Sequence, residues 1–214
     1  CKHYSFIGSR EFGSFAEYVT VPEKNAVKFE DEVSFEQGAF FEPATVALHG
    51  LNRVDYHAGE CVAILGGGTI GLFTAQWAKI FGAKKVVVFD ISPERLELAK
   101  KLGVDEGINT LDEDFMNQAM AVTDGKGFGY IYETAGVTTT MKYAFELAAN
   151  KAGGCFIGTP TRELNFSVKE WENINRKEFT LTGSWMSYSA PFPGKEWILT
   201  AHYFKTGQLK FEDS

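Results

Sequence analysis

Apolar residues along this chain fall into short blocks that alternate between two spacings. CVAIL at 61–65 and VVVFD at 86–90 are continuous apolar runs, the pattern of strands covered on both faces. Between them LFTAQWAKIFGA repeats its apolar residues at helical spacing. Extended along the chain, this reading predicts strands at 61–65, 86–90, 107–110, 129–134, 154–158 and 179–183. It predicts helices near 70–82, 93–102, 113–123, 138–150 and 194–207. Strand–helix alternation implies an α/β fold with a parallel sheet, helices on both faces and right-handed crossovers. For six such strands the expected order is 3-2-1-4-5-6, with ligand at the carboxyl ends of the strands near the switch point.

The opening stretch has a different pattern. FGSFAEYVTVPEKNAVKF, from Phe12 to Phe29, alternates apolar and polar residues and predicts short antiparallel strands of a separate β-rich unit. The acidic segment 30–36 then leads into GAFFEPATVALHGL, which has helical spacing, with Pro43 in the first turn. The chain starts on Cys1 and stops at LKFEDS just after a predicted helix, so it is expected to be a fragment cut at both ends. The expected boundaries are 1–43 for the end of the β-rich unit, 44–208 for the doubly wound unit, and 209–214 for a return toward the first.

Candidate chemistry begins in the turn after the first strand, LGGGTIG. Gly66 permits the tight turn, Gly68 lets backbone approach a pyrophosphate, and Gly71 lets helix and strand pack closely. The free N–H groups and positive end of the following helix attract phosphate. Asp90 closes the second strand nineteen positions beyond Gly71, where a carboxylate can accept bonds from both ribose hydroxyls. These elements stand in the order of a Rossmann-type dinucleotide site. A methyltransferase loop normally follows an acid at the strand end, whereas Ala63, Ile64 and Leu65 precede these glycines. Asp90 would repel a 2′-phosphate, which favours NAD, while Arg95 one turn into the next helix leaves NADP open. Later strand ends read Thr134-Ala135-Gly136, Gly158-Thr159-Pro160 and Gly183-Ser184-Trp185, small residues against which a flat nicotinamide and its ribose can lie.

Composition narrows the partners. A net charge of -7 argues against a nucleic-acid surface. No apolar run approaches the roughly twenty residues of a membrane span. Three cysteines and a polar, basic start without a signal sequence lead us to expect a reducing, cytoplasmic setting. Cys61 and Cys155 lie in apolar strands, where a buried thiol behaves as a small hydrophobe.

Taken together, GSREFGSFAEYVTVP, FFEPATVALHG, LGGGTIGL and VVVFDISPERLELAKKLG resemble the zinc-dependent medium-chain dehydrogenase family. FIGSR and TLTGSWMSYSAPFPGKEW resemble its members that oxidise polyol phosphates. The resemblance implies a GroES-like catalytic domain before the NAD-binding domain, a catalytic zinc, a structural zinc held by four cysteines, and hydride transfer from a secondary alcohol to NAD. It implies that Glu42 supplies a carboxylate to the catalytic zinc, and that Cys1 is a remnant of the structural site. Thr69 and Ile70 would face the pyrophosphate, Asp90 and Arg95 the adenosine ribose, and Gly158, Thr159, Ser184 and Trp185 the nicotinamide half. Sorbitol-type relatives carry an arginine near Met186, so this chain departs from them there. Arg10, with Lys195, is expected either to grip a substrate phosphate through its planar guanidinium or to be a solvated loop charge. The implied substrate is a small polyol or polyol phosphate, and the full-length protein is expected to form a dimer or tetramer through the sixth strand. Two other readings stay open: another zinc polyol or threonine dehydrogenase, and a nucleotide-binding module that is inactive because its main zinc ligands are absent.

Overall fold

The computed structural model describes residues 5–211. Strands β1 (Cys61–Leu65), β2 (Lys85–Asp90), β3 (Glu106–Asn109), β4 (Phe128–Glu133), β5 (Ala148–Phe156) and β6 (Thr180–Gly183) form one sheet in the order β3-β2-β1-β4-β5-β6. Every pairing is parallel. The sequence order changes direction between β1 and β4, which opens a crevice at their carboxyl ends.

The inner strands β1, β2 and β4 are largely apolar because both faces are covered. Val62, Ile64, Val86, Val88, Tyr130 and Tyr132 pack on one side against α2 (Phe41–Leu51), α3 (Thr69–Ile80), α4 (Pro93–Lys101) and α9 (Gly194–Lys205). Ala63, Leu65, Val87, Phe89 and Ile131 pack on the other against α5 (Phe115–Val122) and α6 (Thr138–Leu147). Trp77 of α3 is fully buried, and its indole N–H donates to the Ala44 carbonyl of α2 at 2.9 Å. Burying a ring of this size contributes roughly 2–3 kcal/mol, and the bond meets the indole's polar requirement.

Helix ends follow local chemistry. A short helix, α1 (Phe35–Ala39), is started by a capping box between Ser34 and Gln37. In α4 the Ser92 hydroxyl accepts from Arg95 N–H, Pro93 takes the first position, and Lys100 and Lys101 close the last turn. Two further short helices, α7 (Val168–Trp171) and α8 (Asn173–Arg176), lie in the β5–β6 crossover and were not expected. Among the described residues no helix is long and apolar enough to cross a membrane.

Two expectations need correcting. First, the strands expected over Phe12–Phe29 are not formed; the segment holds one short 3-10 helix, Glu23–Asn25. Phe12, Phe15 and Tyr18 are almost wholly exposed. Alternation describes which side chains share a face, but a strand also needs a neighbour for its N–H and C=O groups. No strand of the sheet borders this segment. Second, α6 ends at Leu147 and β5 begins at once, where helix was expected to 150 and strand from 154. Ala148 pairs with Phe128 of β4, the register shifts before Tyr130, and Lys151 takes a φ of 63°. Pairing with a central strand outweighs the helix preference of Ala148-Ala149.

At the far end, Leu209 is buried and the Gln76 amide bonds both the N–H and the C=O of Lys210. Residues 209–211 therefore pack on the sheet-bearing unit, and Phe211 stacks on Phe40 at 5.0 Å.

Candidate functional site

The crevice is built from the strand ends. Gly66 leaves β1 with a φ of 109° and donates its N–H to Phe89 of β2 at 2.8 Å. Gly68 caps α3 in an extended conformation, and a Cβ there would meet nothing within 4 Å. Open space therefore faces the start of α3, where the first N–H groups have no carbonyl within the helix to bind. A Cβ on Gly71 would lie 1.8 Å from the Gly66 carbonyl oxygen, so the third glycine is a packing requirement.

Asp90 stands beside this turn at the end of β2 and is 8% exposed. Its Oδ2 accepts Gly67 N–H at 2.7 Å, and its Oδ1 accepts Ser92 N–H at 2.9 Å. Arg95 Nη1 lies 3.6 Å from Oδ2 and the side chain is half-exposed. The carboxylate is thus aimed by backbone donors, with lone pairs left for a ribose. Turn, helix start and aimed carboxylate fit the diphosphate and ribose of a dinucleotide.

Further along, Thr134 Oγ1 donates toward the carbonyls of Leu65 and Gly66, tying β4 to the glycine turn. Gly136 and Gly158 are in such close contact that a Cβ on Gly158 would lie 2.2 Å from Gly136 N. Beneath them sits Glu133, fully buried, which sequence reasoning overlooked. Its Oε1 accepts Ala135 N–H, Gly136 N–H and the Thr140 hydroxyl at 3.0, 2.9 and 2.6 Å. Burial raises its carboxyl above the ordinary value, and these bonds oppose the rise without cancelling it. The available signal was an acid closing an apolar strand, as Asp90 does.

A cavity of about 370 Å³ adjoins this shelf, lined by Phe6, Glu42, Val46, Ile157 and residues 184–187. Glu42, the second residue of α2, is solvent-exposed at its mouth, and crowding by neighbouring atoms still raises its carboxyl. The Ser184 hydroxyl is buried and has no hydrogen-bond partner within the protein. Trp185 is half-exposed. A wider cleft of about 780 Å³ lies at the opposite strand ends, around Cys61, Lys84 and Lys177. The 370 Å³ cavity is the better candidate because it lies on the carboxyl side of the sheet.

The structure therefore gathers Gly66, Gly68, Thr69, Ile70, Gly71, Asp90 and Arg95 at one end of the crevice, and Gly158, Ser184, Trp185 and Glu42 toward the other. Thr159 meets Gly136, since a Cβ there would approach the Thr159 carbonyl to 2.6 Å. Arg10 is not brought to the cavity; it lines a separate groove with Ile7, Phe12 and Phe15. Lys195 is exposed in the first turn of α9. Cys1 lies outside the described residues. Among the described residues no group of three or more His, Cys, Asp or Glu side chains could hold a metal ion. Glu42 is the single carboxylate among the cavity's lining residues, so these residues do not by themselves fit a zinc ion.

Residues 69–199 match the family model described as "Zinc-binding dehydrogenase". This chain belongs to the zinc-binding dehydrogenase family. It is 38% identical over 212 residues to galactitol 1-phosphate 5-dehydrogenase of Escherichia coli (strain K12), covering 99% of this chain and 61% of that protein. The crystal structure of galactitol-1-phosphate dehydrogenase from Escherichia coli superposes with a TM-score of 0.91 at 39% identity, covering 98% of this chain and 61% of that one. A zinc-binding dehydrogenase from Sinorhizobium meliloti 1021, bound to NADP, gives a TM-score of 0.83 at 29% identity, covering 96% and 58%. This dehydrogenase chain thus spans about three fifths of the length of the curated relative it matches.

Proposed function

We propose that this chain is the nucleotide-binding part, with an adjoining piece of the catalytic part, of a zinc-dependent dehydrogenase that moves hydride from a secondary alcohol of a polyol or polyol phosphate to NAD. The observation that carries this reading is Asp90, almost buried and aimed by Gly67 and Ser92 beside the open start of α3. A carboxylate there accepts ribose hydroxyls and repels a 2′-phosphate, which favours NAD although one relative is bound to NADP. The polyol-phosphate substrate follows the relative at 38% identity, which is a galactitol 1-phosphate 5-dehydrogenase.

In this reading Gly68 and the first N–H groups of α3 hold the pyrophosphate, and Asp90 with Arg95 orients the adenosine ribose. The shelf of Gly136, Gly158 and Thr159 positions the nicotinamide against the cavity, where Ser184 and Trp185 bound it. A zinc ion, if bound at the cavity, would supply Lewis acidity that lowers the pKa of an alcohol. Glu42 would contribute one carboxylate toward it, and the cavity's lining offers no second ligand of that kind. β6 at the sheet edge is the strand through which copies would pair. The two described cysteines are free thiols, which supports a reducing cytoplasm.

The test uses the full-length protein with a panel of free and phosphorylated polyols, followed by NADH absorbance. Turnover with a polyol phosphate, abolished by chelation, is expected. Preference for a free polyol or for threonine would replace the substrate assignment, and absence of NAD binding would remove the reading. A second reading has its own support in the cavity lining, where Glu42 is the single carboxylate among the described residues: the 214-residue chain alone binds NAD without turnover.

A further inference from the structure

Glu196 is a buried carboxylate that touches neither the crevice nor the cavity, yet it joins both walls of the latter. One wall is α2, where Glu42, Val46 and His49 follow one another at helical spacing along one face. The other is the segment after β6, which carries Ser184, Trp185, Met186 and Ser187 into the cavity lining. From the first turn of α9, Glu196 Oε1 takes His49 Nδ1 at 3.0 Å and the Ser189 hydroxyl at 2.7 Å. Its Oε2 accepts Ser189 N–H at 2.9 Å. We infer that Glu196 is a positioning residue that fixes the 184–189 wall against the α2 wall and so sets the shape of the alcohol pocket.

Several features converge on this role. Gly194 has a φ of 66°, and a Cβ there would lie 2.4 Å from the Ser189 carbonyl and 2.9 Å from Glu196 Oε2, so only glycine lets the loop curl back over the carboxylate. Phe192 packs edge-on against Tyr188 and Trp197 at 5.4 and 5.5 Å, a second tie between this loop and α9. Met186 holds a φ of 73°, a conformation that persists only where surrounding contacts impose it. The clamp holds the same segment three residues further on. Burial alone would push the Glu196 carboxyl up, but the bonds from His49 and Ser189 outweigh it and hold the group below its ordinary value.

The inference rests on the proposed reading of the cavity as the alcohol site, and two readouts on the full-length enzyme separate them. For Glu196→Gln, amide hydrogen exchange across 184–189 is expected to quicken at least tenfold while β1 and β2 are unchanged. The KM for the alcohol should rise at least tenfold, with the Kd for NAD within twofold. Ser189→Ala, which keeps the backbone bond, should show the same pattern more weakly, and it carries the test if Glu196→Gln does not fold. Unchanged exchange at 184–189, exchange rising equally in β1 and β2, or KM and Kd rising together would each overturn the role. So would faster exchange with an unaltered KM. If the wild-type enzyme oxidises no alcohol, the site reading fails, and the exchange measurement still decides whether Glu196 clamps the loop.

Discussion

Gly71 and Gly66 meet so closely that a methyl group on Gly71 would lie 1.8 Å from the Gly66 carbonyl oxygen. The glycine turn is therefore held shut by contact between its own ends. Gly68, between them, faces open space.

That contrast separates a folding requirement from a binding requirement. Gly71→Ala forces backbone apart and is expected to cost about 3 kcal/mol or more in denaturant unfolding. Gly68→Ala should cost only about 1 kcal/mol, the loss of a better N-cap residue, since its extended backbone suits any side chain and a Cβ there meets nothing. Its methyl group occupies the space a pyrophosphate would enter, so NAD affinity measured by calorimetry should fall at least tenfold, about 1.4 kcal/mol. Unweakened NAD binding by Gly68→Ala would move the pyrophosphate elsewhere.

Asp90 governs the choice between dinucleotides. Asp90→Ala removes both the ribose acceptor and the charge that repels a 2′-phosphate, while Arg95 remains in place. NAD affinity should drop by roughly tenfold or more and the NAD-to-NADP preference should narrow or reverse. An unchanged ratio in paired titrations would show that Asp90 does not read the ribose.

Glu133 predicts a stability effect with pH. Its folded carboxyl is raised above the ordinary 4.5, so its contribution is most favourable below that pH and is lost as pH rises through the folded pKa. Glu133→Gln keeps the acceptor that Oε1 provides and removes the titration. The variant's melting temperature relative to wild type should therefore climb between pH 4 and pH 7. A flat difference across that range would mean Glu133 titrates normally.

Thiol reactivity should sort the two described cysteines. Cys155 is fully buried and burial pushes its thiol up to about 11. At pH 8 its thiolate fraction is on the order of one in a thousand. Peptide-level mass spectrometry after alkylation at pH 8 should find Cys155 unlabelled in the folded protein and labelled once it is unfolded. Cys61, partly exposed, should react slowly but measurably before unfolding. Rapid native labelling of Cys155 would mean that the sheet opens there.

Most of the sheet is legible in the sequence. Cys61–Leu65 and Val86–Phe89 are continuous apolar runs, and their alternation with helices leaves few arrangements open. The glycine turn and Asp90 were legible for the same reason: the chemistry sits on adjacent elements in a short span, so spacing along the chain reflects spacing in the fold. Glu133 had the same signature at the end of β4 and went unread because its partners, Ala135, Gly136 and Thr140, make it look like an ordinary turn.

Other features depend on contacts that no local pattern encodes. The alternation of Phe12–Phe29 cannot supply a neighbouring strand, and the start of β5 at Ala148 is set by Phe128 twenty positions earlier. The Glu196 clamp joins His49 to Ser189 across 147 residues of chain from His49 to Glu196. Periodicity and turn chemistry act between near neighbours and so determine elements, their order and the nucleotide turn. Backbone pairing and buried carboxylate networks are satisfied only between distant segments, so the tertiary fold alone determines where β5 begins, which wall faces Glu42, and what holds that wall in place.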